Sequence, residues 1–306
     1  MTYPIAYPIA WSRLANTTPV LNPFKTGGLY SAEQSLYMRM SREGLARMRE
    51  HQLSPRDLSI IASINECKLL TASQIQRLHF PLTQHASFVT AYRMTNRVLL
   101  RLTQKKILAK VERKVGGLYG GSGTNVYGLG VIGARLVGKR NLFYYSEQIS
   151  TLFLEHTIAI NEIYVSLIEA NANNQIKLVN LQTETQCWRP FLYGYGIKEI
   201  LKPDLYVRMH TIDGQTEYNW FIEVDRDTIH TPSIVKKAQI YQKYYQSGDE
   251  QTKKGIFPQV LWLVPDEVRL ERLVKAFYRM GNKVSSLHVV ELYEDALQII
   301  TGQKPP

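Results

Sequence analysis

Two acidic residues, Asp204 and Glu223, stand nineteen positions apart, each at the end of an apolar run. Asp204 follows Pro203 and opens Leu205-Tyr206-Val207. Glu223 closes Trp220-Phe221-Ile222 and is followed by Val224 and Asp225. If the two runs are neighbouring strands, an acid at the start of one and an acid near the end of the next converge on one point. Such a pair suits Mg²⁺, a hard cation that takes one or two carboxylates and keeps several waters for reaction. Glu155 or Glu162, upstream on a helical stretch, could supply a further acid, so the candidate metal ligands are Asp204, Glu223 and Glu155. A plainer role for Glu223, Asp225 and Arg226 is an ion-pair network at a strand end.

The second half of the chain must position these groups. Residues 147–170 pattern as a long helix, with Ile149, Leu152, Phe153, His156, Ile160, Ile163, Tyr164 and Leu167 on its apolar side. His156 there is expected to be a packed, hydrogen-bonded core residue. Strands are expected at 176–183, 202–207 and 218–224 and a helix from Pro232 to about residue 246. A buried strand at 260–264, a helix at 267–279 and a strand near Val289 follow. This order predicts a mixed sheet flanked by helices. Trp188, Tyr193, Tyr195 and Trp220 are expected to pack.

Pro203-Asp204 followed by Glu223-Val224-Asp225 resembles the PD-(D/E)xK nuclease pattern. The resemblance implies a restriction-endonuclease-like fold and Mg²⁺-dependent hydrolysis of a phosphodiester. The pattern carries lysine where this chain has Asp225, and an aspartate cannot hold the developing negative charge. Lys236 or Lys237, on the following helix with Gln239 and Tyr241, could stand in, as relocated lysines do in some members. The candidate catalytic set is therefore Asp204, Glu223, Asp225, Lys236 and Lys237. The alternative is a degenerate domain that keeps the fold without cleavage.

The first half differs in charge. Residues 1–146 carry 20 Lys/Arg against 6 Asp/Glu, a balance of +14, and residues 147–306 carry 17 against 20, a balance of −3. A basic half suits a polyanion, with nucleic acid the commonest. Helix starts stand at Ser54-Pro55 and Thr71, and a third helix spans about Gln84 to Gln104, with Val89, Tyr92, Val98, Leu99 and Leu102 expected to face inward. Strand patterns at 107–111 and 126–129 flank a glycine-rich loop, and a short helix follows at 131–137. Three helices and a hairpin make the winged-helix plan, in which the third helix enters the major groove. Arg93, Arg97, Arg101, Lys105 and Lys106, with Arg113 and Lys114 in the hairpin, are the candidate DNA contacts, though a solvated helix face would look the same. The loop Gly117 to Thr124 lacks the lysine and the following helix of a phosphate-binding loop.

Two cysteines, Cys67 and Cys187, far apart in the chain, suggest neither a disulfide framework nor a zinc cluster and fit a reducing, cytoplasmic setting. No apolar run nears the roughly 18–20 residues a bilayer span needs, and no signal peptide is expected. The expected organisation is an arm and helix at 1–50, a winged helix-turn-helix at 51–146 and an α/β nuclease-like domain at 147–306.

As a whole, the layout resembles the replication-relaxation family of plasmid and mobile-element proteins. The residues that carry the likeness are Leu154-Glu155-His156, Lys202-Pro203-Asp204, Glu223-Val224-Asp225-Arg226-Asp227-Thr228, and Lys236-Lys237 with Tyr241 and Tyr244-Tyr245. It covers roughly residues 53–265 and implies a part in replication, relaxation or mobilisation. Three functions follow: a DNA-binding protein with a degenerate nuclease-like domain, a Mg²⁺-dependent endonuclease, or a winged-helix transcriptional regulator. The expected partners are double-stranded DNA, replication, mobilisation or transposition proteins, and a second copy of the chain.

Overall fold

Ser54 and Thr71 start their helices by the same device. Ser54 Oγ accepts from Asp57 N at 3.2 Å while Asp57 Oδ2 accepts from Ser54 N at 2.9 Å. Thr71 and Gln74 repeat the exchange at 3.1 and 3.0 Å. Each box satisfies two backbone donors that a helix end leaves unpaired. The protein, seen here as a computed structural model, is described over residues 41–111, 125–139, 149–194, 196–281 and 286–304. The arm, residues 31–40 of the expected first helix, the glycine-rich loop with Arg113 and Lys114, and Tyr195 lie outside the described residues. The described part is mixed α/β and divides into two units, Met1–Ile149 and Ser150–Pro306. Among the described residues, no helix is long and apolar enough to cross a membrane.

In the first unit, α1 (Arg42–His51) precedes α2 (Pro55–Cys67), β1 (Leu69–Thr71), α3 (Ala72–His79), α4 (Phe88–Gln104), β2 (Leu108–Val111), β3 (Val126–Leu129) and α5 (Val131–Leu136). The strands pair antiparallel in the order β1-β3-β2. Ile60, Ile64, Ile75, Leu99, Leu102 and Ile132 are fully buried between helices and sheet. The phase of α4 differs from the expected one. Its buried stripe is Ala91, Thr95, Leu99 and Leu102, whereas Val89 and Tyr92 are each 52% exposed. Thr95 can sit in that core because its hydroxyl donates to Ala91 O at 2.8 Å. A Cβ on Gly133 would lie 2.1 Å from Ile107 O, so only glycine lets α5 approach this closely.

The second unit holds α6 (Thr151–Ala172), β4 (Ile176–Thr183), β5 (Arg189–Tyr193), β6 (Ile197–Leu201), β7 (Leu205–Thr211), β8 (Glu217–Val224), α7 (Thr231–Ser247), α8 (Asp249–Lys254), β9 (Gln259–Val264), α9 (Glu267–Arg279), β10 (His288–Leu292) and α10 (Ala296–Ile300). The main sheet runs β10-β9-β8-β7-β4, with β8, β9 and β10 parallel and β4, β7 and β8 antiparallel. Alternate residues face opposite sides. Leu205, Val207, Ile222 and Leu261 join the core with residues of α6 and α10. Tyr206, Phe221, Val260 and Trp262 join the other with residues of α7 and α9.

Two expectations are corrected here. The β5–β6 hairpin is an additional two-stranded sheet, in a stretch where Pro190, Gly194 and Gly196 hide the strand pattern. On α6, Leu152 and Phe153 lie in the first turn and are 57% and 43% exposed, while Leu154, Ile160, Ile163 and Leu167 are buried.

Candidate functional site

The pairing of β7 with β8 sets Leu205 opposite Ile222, so Asp204 and Glu223 fall opposite each other one step further on. Asp204 N donates to Ile222 O at 3.2 Å, and Asp204 Oδ2 accepts from Val224 N at 2.8 Å. Both acids are buried. Both follow the face that carries Tyr206 and Phe221, toward α7. Pro232 stands in the first turn of α7, and over the next two to three turns the helix brings Lys237 and Tyr241 over the acids. Lys237 Nζ bonds Glu223 Oε2 and lies 3.9 Å from Asp204 Oδ1. Tyr241 Oη donates to Glu223 Oε1 at 2.6 Å. From α6, His156 Nε2 reaches within 3.6 Å of Asp204 Oδ1. Cys187 lies beneath, its thiol donating to Pro203 O at 3.0 Å.

These neighbours shift one another's proton affinities. Burial drives the Glu223 carboxyl upward to about 8, and Asp204 adds to this while Lys237 and Tyr241 oppose it. Burial would lower Lys237, but Glu223 and then Asp204 outweigh it and hold the ammonium protonated well above its usual range. Burial would raise Asp204, yet Lys237, His156 and the Val224 amide together keep it below the ordinary carboxylate value. His156 is opposed by burial and raised overall by its bond to Asp204 and that residue's charge. The result is a buried acid pair with an ammonium against it and an imidazole at its edge.

The remaining candidates are placed differently. Asp225 is buried but turns to α9, where Arg269 Nε donates to its Oδ2 at 2.5 Å. Arg269 also donates to Thr231 Oγ1 at 3.2 Å and Ile229 O at 2.7 Å and forms an ion pair with Asp227 Oδ1 at 2.9 Å. Lys236 is exposed on α7, away from the acids. Glu155 is exposed and stands 3.8 Å from Arg226. Among the described residues, no group of three or more His, Cys, Asp or Glu side chains is disposed to hold a metal ion. Sequence patterns gave no sign of Arg269, which follows Asp225 by 44 residues. His156, expected as a packed, hydrogen-bonded core residue, is half-buried and faces Asp204, and its position beside Glu155 in the family signature was the available hint of that partner.

In the first unit, Arg93 and Arg97 are exposed on α4, opposite its buried stripe. Arg101 is partly committed: its Nη2 bonds the buried Asp57 Oδ1 at 2.6 Å and so clamps the α2 capping box. Lys105 caps the end of α4, and Lys106 takes a left-handed φ of 56° with its carbonyl accepting from Ile132 N at 3.0 Å.

A basic helical unit followed by a mixed-sheet unit with a buried acid–lysine cluster defines the class, a two-unit mixed α/β protein. Residues 61–260, which are 200 of the 306, match the replication-relaxation family, so the chain belongs to that family. Membership ties it to replication and mobile-element processes. No characterised protein and no solved structure matches the chain.

Proposed function

We propose that the chain is a DNA-binding protein of a plasmid or mobile element, in which a winged helix grips double-stranded DNA and the second unit is a nuclease-like module. The observation that carries this is the exposed pair Arg93 and Arg97 on α4, backed by a helix face that is core. The element order of the first unit, with α2, β1 and α3 directly before α4 and the β2–β3 pair after it, agrees with a winged helix. So does the +14 balance of residues 1–146. Phosphate contacts of this kind make affinity fall steeply with salt. The test is duplex binding by Arg93→Glu with Arg97→Glu across a salt series. Wild-type binding with a steep salt slope, weakened at least about tenfold in the variant, is expected. Unchanged affinity removes the assignment of α4.

A second reading, a Mg²⁺-dependent endonuclease, is favoured by Lys237, which stands against both acids from the helix after β8. Asp204 and Glu223 are hard oxygen donors that fit Mg²⁺, and they would hold it. Bound there, the ion would lower the pKa of a water and offset phosphate charge. Lys237 would then face the charge that develops on the phosphate, the task Asp225 cannot perform while it binds Arg269. Nicking of supercoiled DNA in Mg²⁺ or Mn²⁺ that is lost in Asp204→Ala, Glu223→Ala and Lys237→Ala supports an endonuclease. Binding without nicking supports the degenerate module.

A further inference from the structure

The exposed side of α4 is divided along its length. Its first turns present Phe88 at 60% exposure and Val89 and Tyr92 at 52% each, with the rings of Phe88 and Tyr92 stacked at a centroid distance of 6.3 Å. Arg93 and Arg97 follow on the exposed side, and Leu100 is 60% exposed one turn later. Val89, Arg93, Asn96 and Leu100 recur at three- and four-residue spacing and so share one stripe. Apolar exposure concentrated this way marks an interaction surface. The cations beside it and the basic balance of the first half select a polyanion as what covers it. The phosphates themselves give an apolar side chain no favourable partner. The major groove does, because thymine places its C5-methyl there and apolar side chains distinguish it.

We infer that Phe88, Val89 and Tyr92 read thymine methyl groups in the major groove, while Arg93 and Arg97 hold the flanking phosphates, which gives the protein a thymine-dependent sequence preference. This rests on the proposed docking of α4 on duplex DNA and adds to it which residues carry sequence information and which only affinity. Such a division is general: phosphate contacts position a protein and base contacts specify the site.

The test uses the full chain. A random duplex pool is selected for binding, and affinity is then compared between the enriched duplex made with thymine and the same duplex made with uracil, which lacks only the methyl groups. The wild type is expected to prefer thymine by about tenfold, within the range of specific base contacts. Phe88→Ser with Val89→Ser, which leaves only Tyr92 of the three, is expected to lose most of the thymine preference with an unchanged salt slope. Both side chains are already exposed, so an unchanged melting temperature checks that the variant folds. Arg93→Glu with Arg97→Glu is expected to weaken both duplexes alike and to flatten the salt slope. Equal wild-type affinity for the two duplexes, or a preference that survives the serine substitutions, overturns this inference and leaves duplex binding standing. A wild type that binds no duplex overturns the proposed function together with it.

Discussion

Arg269 and Asp225 are bonded from Nε to Oδ2 at 2.5 Å, both buried, across 44 residues of sequence. The guanidinium also ties Asp227, Ile229 and Thr231, so α9 holds the whole turn from β8 into α7. Removing one partner of a buried pair leaves an uncompensated charge, which costs about 3–5 kcal/mol. Arg269→Ala should lower unfolding stability in urea by that order. Arg272→Ala, at a half-exposed guanidinium 3.4 Å from Asp227, should cost no more than about 0.5 kcal/mol. Equal effects at the two arginines would show that Arg269 is no anchor.

Lys237 should matter in the same way at the acid pair. Lys237→Met leaves Glu223 and Asp204 facing each other without their cation and should cost about 2–4 kcal/mol. Adding Glu223→Gln removes the buried carboxyl that Lys237 bonds and should recover part of the loss. Lys236→Met, on the exposed side of α7, should stay within about 0.5 kcal/mol of wild type. Urea midpoints for the four proteins give the coupling between Lys237 and Glu223 directly. Additive losses would mean that the pair is uncoupled.

The His156–Asp204 contact predicts a pH dependence. His156 is raised above its ordinary 6.5, so the folded state binds its proton more tightly than the unfolded chain. Its contribution is full below pH 6.5 and is lost as pH rises through the higher folded value. The stability gap between wild type and His156→Gln should therefore be wide at acid pH and close on the alkaline side. Asp204 has the opposite sign: its lowered pKa stabilises above 3.8 and is lost as pH falls through the folded value. Melting temperatures of wild type and His156→Gln from pH 5 to 9 check the first, and a gap independent of pH would refute it.

Arg101 should separate from its neighbours. Its bond to buried Asp57 makes Arg101→Gln destabilising by about 1.5–3 kcal/mol, the size of a charged hydrogen bond. Arg93→Gln and Arg97→Gln, on the exposed face, should leave stability within about 0.5 kcal/mol. Thermal melts of the three variants decide it. A loss at Arg97 equal to that at Arg101 would place Arg97 in a structural pair as well.

Much of this architecture was legible because its signals are local. Ser54-Pro55 and Thr71 with Gln74 mark helix starts through bonds spanning three residues. The alternation along Leu205 to Met209 and Trp220 to Val224 records two buried faces, since neighbouring side chains point to opposite sides. Acids at the ends of two adjacent antiparallel strands must meet, so Asp204 and Glu223 could be paired from position alone.

Contacts between elements distant in sequence were decided only by the tertiary structure. Lys236 and Lys237 are equivalent as neighbours in sequence, and only the rotation of α7 on the sheet turns Lys237 to the acids and Lys236 to solvent. Arg269 reaches Asp225 because β9 lies beside β8 and α9 packs over that edge, an order of strands that residue types do not encode. Arg101 patterned with Arg93 and Arg97, but its position along α4 brings it to Asp57, 44 residues earlier in the chain. Helix periodicity places a side chain to within a face. Which partner that face meets depends on how the elements pack, where angular differences of one residue separate a core contact from a free surface.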